Sequence, residues 1–201
     1  MLEQSDLGNI CHEHLEYYSY KSLVKLYEKN GLQINDIRTN DIQGGSYQVW
    51  ATPYHSGSIE YWENTDEMLD NFFDKVHNNG RLLRAMIKDR VKQGKKAYVY
   101  GASTKGNTML QIWDLDHTLF TGAAEIHPDK IGRYTVGSNI PIVTEADALA
   151  DADILFAPNF GFRDLFVKNL QPWLKAGGQL VFAMPEVEVI TYEEDSISNT
   201  T

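Results

Sequence analysis

The sequence predicts an α/β protein whose main domain is a parallel sheet of the nucleotide-binding type, preceded by a helical connector and a short block with strands. From Lys96 onward, short apolar strands alternate with helical segments, a pattern typical of parallel sheets joined by right-handed crossovers. Hydrophobic residues make up 42% and charged residues 23% of the chain, as in soluble globular proteins. The 201 residues correspond to between one and two domains at roughly 150 residues each.

The net charge and the single cysteine exclude several classes of function. The chain has 18 Lys and Arg against 28 Asp and Glu, and its net charge of −10 argues against a nucleic-acid surface but leaves a local basic pocket open. Cys11 alone can form neither an internal disulfide nor a cysteine cluster for zinc. No apolar run approaches the ~18 residues of a membrane span, and residues 1–10 lack the pattern of a signal peptide. We therefore expect a cytoplasmic protein without nucleic-acid or membrane partners.

The opening block is predicted to be a helix followed by two strands. Apolar residues recur at helical spacing over residues 19–30, with Ser19 as the N-cap and Gly31 as the stop. Residues 32–37 and 46–52 have the composition of strands, and Gly44-Gly45 supplies the turn between them. About fifty residues are too few to bury a good core alone, so we interpret this block as the closing part of a larger sheet.

That interpretation leaves apolar residues of the opening block, such as Leu23 and Val49, without the rest of their sheet. We expect them to be exposed and to favour self-association.

The connector is predicted over residues 59–93, where apolar residues form helical stripes. Asn78-Asn79-Gly80 is expected to break or kink this helix, and Gly94 is expected to end it. The remaining chain is predicted to contain strands at residues 97–100, 122–126, 140–143, 153–157 and 179–183, with helices at 105–113, 145–150 and 163–174. From residue 191 the tail is polar and is expected to fray.

Two imidazoles flank a carboxylate at His12-Glu13-His14. Histidine exchanges protons near neutral pH, and a neighbouring carboxylate raises its basicity. In an extended segment Glu13 and His14 would point in opposite directions, whereas in a turn they can meet. The spacing alone leaves two interpretations open, proton-transfer catalysis and structural hydrogen bonding. A metal site is disfavoured because a third ligand is not apparent.

A second motif lies where the first strand of the α/β repeat passes into its first helix. Such a turn directs free backbone N–H groups and the positive end of a helix dipole outward, which suits phosphate. Ser103 adds a hydroxyl, Lys105 a positive charge and Asn107 an amide. Gly101 and Gly106 are five apart and match neither the dinucleotide fingerprint nor the P-loop. The alternative is a tight strand-to-helix turn that needs glycine for packing.

Two charged residues follow later strands and could reach the same crevice. Glu125 ends the second strand of the repeat, where nucleotide-binding folds often place an acid against a ribose hydroxyl. Arg163 follows the fourth strand and could bind a phosphate with two hydrogen bonds. An exposed carboxylate without a ligand and a surface salt bridge are the respective alternatives.

The order of these motifs resembles one family. Residues 10–19, Gly44-Gly45-Ser46 and residues 100–108 are similar to S-adenosylmethionine-dependent sugar C-methyltransferases, as are residues 125–130 and Met184-Pro185-Glu186. These enzymes methylate C3 of nucleotide-linked 4-keto deoxysugars. The resemblance extends from about residue 3 to residue 190, and the combination of motifs is more specific than any one of them.

The resemblance implies a domain organisation. Full-length members have a cysteine-rich zinc domain, a methyltransferase domain and a Rossmann-like C-terminal domain that helps to hold the sugar nucleotide. By resemblance, residues 1–55 are the C-terminal remnant of a class I methyltransferase domain, 56–94 the connector, 95–190 the Rossmann-like sugar-nucleotide-binding domain and 191–201 a polar tail. The chain is therefore expected to be a truncated, C-terminal portion that lacks the glycine-rich S-adenosylmethionine loop and does not bind this cofactor fully.

The resemblance also implies roles for individual residues. In the family chemistry a base removes the C3 hydrogen, which the 4-keto group acidifies, and the enolate attacks the methyl group of the cofactor. His14 is the implied base, Glu13 its partner or a second proton carrier, and Tyr17 a residue of the sugar pocket. The partner is a nucleotide-diphosphate sugar, expected to be dTDP-linked, and its implied contacts are Gly101, Ser103, Lys105, Gly106, Asn107, Glu125 and Arg163.

Two other functions stay open on the sequence. One is a free-standing module that binds a nucleotide or nucleotide sugar without catalysis. The other is an oxidoreductase that holds a dinucleotide at the Gly101 turn. The His12-Glu13-His14 segment favours the methyltransferase, because a pure binding module has no need of it.

Overall fold

A computed structural model describes residues 1–2, 4–40, 45–61 and 65–192. The chain begins with a 3₁₀ turn, Leu7–Asn9, followed by α1 (Tyr20–Lys29), β1 (Leu32–Asn40) and β2 (Ser46–Pro53). The predicted cap is confirmed, since Ser19 Oγ accepts a hydrogen bond from the Ser22 N–H. The predicted strands are confirmed too, and they pair antiparallel as a two-stranded sheet of their own. Gly44 of the predicted turn and the tail from residue 193 lie outside the described residues.

The apolar side chains of this block are only partly covered. Leu23 and Val49 are half-buried rather than fully exposed. Large side chains that do face solvent include Leu15, Leu26, Leu32 and Trp50.

The connector is one unbroken helix, α2 (Thr65–Lys92), and the predicted break at Asn78-Asn79-Gly80 is wrong. The reason is tertiary packing. Asn79 is buried and donates hydrogen bonds to the main-chain carbonyls of Ala183 at 3.0 Å and Pro185 at 2.9 Å. Gly80 lies against Trp113, so that a Cβ at residue 80 would come within 2.1 Å of the indole ring. Two residues that disfavour helices are therefore required here by their neighbours.

The second sheet has six strands in the order β5-β4-β3-β6-β7-β8. Its first five strands in the chain are parallel, and they are β3 (Ala97–Tyr100), β4 (Gly122–Glu125), β5 (Ile142–Thr144), β6 (Ile154–Phe156) and β7 (Gln179–Phe182). The edge strand β8 (Glu188–Ile190) runs antiparallel to β7 and was not predicted. The helices between the strands are α3 (Thr104–Ile112), α4 (Glu145–Asp151), α5 (Arg163–Asn169) and α6 (Gln171–Lys175). The predicted Rossmann-like α/β fold is confirmed.

One predicted helix, residues 163–174, is divided into α5 and α6. Pro172 occupies the first turn of α6. Proline has no N–H and clashes with the carbonyl four residues earlier, so α5 cannot continue through it.

The sheet is covered on both faces, as parallel sheets require. Ala97, Val99 and Phe156 pack in one apolar cluster with residues of α2 and α3. Tyr98 and Leu155 point to the other face and pack with residues of α4, α5 and α6. None of the helices in the described ranges combines the length and apolarity that crossing a bilayer needs.

The strand order reverses between β3 and β6. The chain leaves β3 for β4 and β5 on one side of the sheet, then returns past β3 to β6 and β7 on the other. Helices on opposite sides diverge at such a point, and a crevice opens at the carboxyl ends of the strands. This is where ligands bind in open α/β sheets, and it fixes the place of the candidate site.

Candidate functional site

A cleft of about 710 Å³ lies at this reversal of strand order, and we call it the switch-point cleft. Lys105 of α3 forms part of one wall, and the segment after β6 forms the other. The N-terminal segment and the turn after β7 complete it. The lining residues are Gln4, Asp6, Lys105, residues 158–165, Met184 and Pro185.

The structure has a strand-to-helix turn before α3, as the motif at residues 101–108 predicts. Gly101 has a φ of 104°, and its N–H donates to the Ala124 carbonyl at 3.0 Å. Ser103 caps α3, because its Oγ accepts the Gly106 N–H at 3.0 Å. Gly106 is buried, and a Cβ there would lie 3.2 Å from Pro158. Gly101, Ser103 and Gly106 thus shape the turn, whereas Lys105 reaches the cleft.

Asn107 lies in α3, one helical turn after the cap residue Ser103. Its N–H donates to the Ser103 carbonyl at 2.9 Å. Its side-chain Oδ1 is buried without a hydrogen-bond partner among the described residues. Asn107 is not among the described residues that line the cleft.

Lys105 meets an acidic partner in the cleft. Its Nζ lies 3.5 Å from Oδ2 of Asp6, and the side chains are 21% and 13% exposed. The contact is enforced by packing, since a Cβ on Gly8 would lie 2.8 Å from Lys105 Cβ. The 3₁₀ turn of the N-terminal segment is therefore fixed against α3 at the edge of the cleft.

Arg163 also lines the cleft, but its guanidinium is held by carboxylates of the protein. Nε and Nη2 donate to the two carboxylate oxygens of Glu188 at 2.8 and 2.5 Å, and Nη1 donates to Asp164 at 3.1 Å. The Arg163 guanidinium lowers the pKa of Glu188, and Glu188 in turn raises the pKa of Arg163. The ion pair joins the start of α5 to the edge strand β8.

His14 belongs to an exposed turn, residues 10–18, that we call the His14 segment. The turn is closed by a hydrogen bond of 3.0 Å from the His14 N–H to the Cys11 carbonyl. His14 Nδ1 lies 2.8 Å from the main-chain oxygen of Asn9, and the Tyr17 hydroxyl donates to the same oxygen at 2.9 Å. A carbonyl can only accept, so Nδ1 carries a hydrogen, and in the neutral ring the lone pair is then on Nε2.

Asn9 links the His14 segment to the cleft. The Asn9 side-chain amide donates to Oδ2 of Asp6 at 2.8 Å, the atom that faces Lys105. The two predicted motifs are therefore joined by Asn9 and Asp6 on one side of the molecule. Sequence reasoning missed both residues, because no spacing or composition distinguishes them.

Glu13 is not brought to His14 by the described contacts. Its Oε1 lies 4.0 Å from Nε2 of His12, and both side chains are largely exposed. Tyr18 donates a hydrogen bond to Glu16. The described residues contain no group of three or more histidine, cysteine or acidic side chains that could hold a metal ion.

Glu125 is engaged within the protein. Its Oε1 accepts the N–H groups of Ile126 at 2.9 Å and His127 at 3.1 Å, and its Oε2 accepts from Lys130 Nζ at 2.9 Å. Burial opposes these contacts, but the Lys130 ammonium and the two N–H groups leave the pKa of Glu125 lowered. Lys130 also donates to the Ala102 carbonyl at 2.9 Å. Lys130 thus joins the loop after β4 to the turn before α3, and Glu125 holds Lys130 in place.

Two comparisons with known proteins found similar sequences. A family model described as "C-methyltransferase C-terminal domain" matches residues 41–185, a range that includes the cleft from Lys105 to Pro185. The chain is 30% identical over 210 residues to "C-methyltransferase NovU" from Streptomyces niveus. That alignment covers 96% of this chain and 49% of the relative. The chain therefore spans about half the length of the curated relative it matches.

Proposed function

The chain belongs to the family of C-methyltransferase C-terminal domains, and from this premise we propose a specific part for it. It supplies the substrate cleft and the proton-transfer segment of an S-adenosylmethionine-dependent enzyme that methylates C3 of a nucleotide-linked 4-keto deoxysugar. The observation that carries the proposal is the meeting of Lys105 with the N-terminal segment at the switch-point cleft. The division into residues 1–55, 56–94, 95–190 and 191–201 is part of this proposal.

The chemistry of the cleft supports a diphosphate ligand. The N-terminus of α3 adds partial positive charge beside the Lys105 ammonium, and both favour an anion. Phe160, Phe162 and Leu165 give the opposite wall an apolar character that suits the remainder of a nucleotide. Because the chain as a whole is acidic, binding depends on these local groups rather than on the net charge. The dTDP form of the nucleotide follows from the sequence resemblance.

His14 is the proposed base. Its Nε2 lone pair takes the C3 proton, the C3–H bond breaks, and the electron pair is delocalised into the 4-keto group as an enolate. The Asn9 carbonyl stabilises the imidazolium that forms, since Nδ1–H already donates to it. Tyr17 shares that carbonyl and is proposed to border the sugar. Glu13 lies beside His12, with Oε1 4.0 Å from its Nε2, rather than beside His14. It is proposed as a second proton carrier.

S-adenosylmethionine supplies the methyl group when the full-length protein binds it, but the described residues do not fit this cofactor. In Rossmann-like sheets a cofactor ribose is typically bound by the acid at the end of the second strand. Oε1 of that acid, Glu125, already accepts the N–H groups of Ile126 and His127, and Oε2 accepts from Lys130, which leaves at most one acceptor site for the ribose hydroxyls. The Lys105 ammonium would also repel a sulfonium. We therefore place the methyl donor in another part of the full-length protein.

Calorimetric titration of this chain with dTDP, S-adenosylmethionine and NAD tests the binding part of the proposal. We expect heat of binding with dTDP alone. NAD binding would instead favour an oxidoreductase, and S-adenosylmethionine binding would contradict the placement of the donor. If dTDP does not bind, the switch-point cleft is not a nucleotide site.

A further inference from the structure

The Asp6 carboxylate contacts two different elements through one oxygen, Oδ2. One contact is to Lys105 in the switch-point cleft, with Nζ 3.5 Å from Oδ2. The other is to Asn9, whose Nδ2 donates to the same oxygen at 2.8 Å. We propose that Asp6 is a positioning residue for the proposed reaction. Its carboxylate holds Asn9, and through Asn9 the His14 imidazole, at a fixed position relative to the Lys105 ammonium in the cleft. This inference rests on the proposed function only for the role of His14.

Burial makes the Asp6 contacts consequential. The Asp6 side chain is 13% exposed and that of Lys105 is 21% exposed. A carboxylate removed from water to this extent needs a cation and hydrogen-bond donors in compensation. Asp6 obtains the cation from α3 and a donor from its own segment. The position of the 3₁₀ turn is therefore determined by charge as well as by the packing of Leu7 and Gly8 against the core and α3.

Asn9 transmits this constraint because its two polar groups have different partners. Its side-chain amide is bound to Asp6, and its main-chain oxygen is bound to His14 Nδ1 and to the Tyr17 hydroxyl. Asn9 is 6% exposed, and its N–H donates to the Asp6 carbonyl at 3.2 Å. Fixing the amide therefore fixes the direction of the carbonyl. The carbonyl in turn determines which ring nitrogen of His14 carries the hydrogen.

The His14 tautomer is the readout, because a merely structural role of Asp6 would not change it. Nitrogen-15 NMR of the histidine-labelled full chain, at about pH 8 and above the ordinary histidine pKa of about 6.5, distinguishes the two neutral ring forms. His14→Gln assigns the signal. We expect the Nδ1–H form in the wild type. We expect at least a twofold loss of that form in Asp6→Ala and in Asn9→Ala, which keeps the main-chain carbonyl.

Asp164→Asn is the matched control. Asp164 is a carboxylate that pairs with the other cation of the cleft, Arg163, but has no described link to His14. It should leave the His14 tautomer unchanged. The inference is overturned if the wild type holds the Nε2–H form, if the Asp6→Ala ring is like that of the wild type, or if Asp164→Asn has the same effect. Should Asp6→Ala fail to fold, Asn9→Ala decides, and an unaltered ring in that variant overturns the inference.

The proposed function is tested separately on the same samples. If dTDP does not bind the wild type, the nucleotide cleft is refuted, whereas the ligand-free tautomer comparison still decides the role of Asp6. If dTDP binds and neither Asp6→Ala nor Asn9→Ala changes the His14 tautomer, the nucleotide cleft is supported and the positioning role of Asp6 is refuted.

Discussion

Lys105 Nζ lies 3.5 Å from Oδ2 of Asp6, and this contact joins the first helix of the Rossmann-like domain to the N-terminal segment. The two residues are 99 positions apart in the chain. The contact brings the motif at residues 101–108 and the His14 segment to one side of the molecule, with Asn9 between them. The proposed reaction requires a substrate whose anionic end meets Lys105 while its acidic C–H group meets His14.

Replacing the cleft lysine should weaken nucleotide binding. Lys105→Ala removes a charge-assisted contact worth about 1.5–3 kcal/mol and leaves Asp6 facing the ligand, so we expect roughly 10- to 100-fold weaker dTDP binding by calorimetry. Lys168→Ala has the same change in net charge, and its residue is exposed on α5 outside the cleft lining. Equal affinities for Lys105→Ala and the wild type would remove this lysine from the site.

Replacing the proposed base should slow proton removal. In the full-length protein, His14→Gln is expected to lower the rate of deuterium uptake at C3 of the 4-keto sugar nucleotide by about 10²- to 10⁴-fold. His12→Gln is the control, because the His12 imidazole is 83% exposed and lies beside Glu13 rather than Asn9. If the wild type catalyses no uptake at all, the chain is better described as a binding module.

Asn79 should contribute to both stability and binding. Asn79→Leu keeps similar volume but leaves the carbonyls of Ala183 and Pro185 without their donor. We expect a loss of about 1–3 kcal/mol in the free energy of unfolding, measured by urea denaturation. Binding of dTDP should also weaken, because Pro185 lines the cleft. Asn78→Leu, at the exposed neighbouring position, should cause neither change, and similar losses from both variants would refute this role.

Gly80 gives a test in which local and tertiary effects have opposite signs. Helix propensity alone predicts that Gly80→Ala stabilises α2 by about 1 kcal/mol. The Trp113 ring occupies the space of the new methyl group, so we expect destabilisation of about 1–3 kcal/mol instead. Thermal unfolding decides by the direction of the change in Tm. An increase would show that the ring yields at little cost.

The Rossmann-like sheet could be predicted because its strands are short, apolar and separated by helical periods. The strand-to-helix turn at residues 101–108 could also be predicted, because a glycine follows an apolar strand there, whereas the role of Ser103 as the N-cap of α3 was not predicted. The predicted helix break at Asn79 and Gly80 was wrong because residue preferences describe an isolated helix. Here both residues are fixed by contacts with residues far along the chain. The edge strand β8 has three residues and no periodicity to reveal it.

The roles of Asp6 and Asn9 were not predictable for a similar reason. They depend on the packing of a three-residue turn against α3, which no local pattern encodes. Arg163 shows the converse case. Its place beside the cleft followed from its position after the fourth strand, but its partner Glu188 comes from β8, whose antiparallel return brings the carboxylate to the guanidinium.

A crystal structure of this chain with dTDP would show whether Lys105 binds the diphosphate. We expect a diphosphate oxygen at hydrogen-bonding distance, about 2.7–3.2 Å, from Lys105 Nζ, with the thymine toward the wall formed by residues 158–165. A nucleotide bound at Glu125 and the loop after β4, with the switch-point cleft empty, would contradict this expectation.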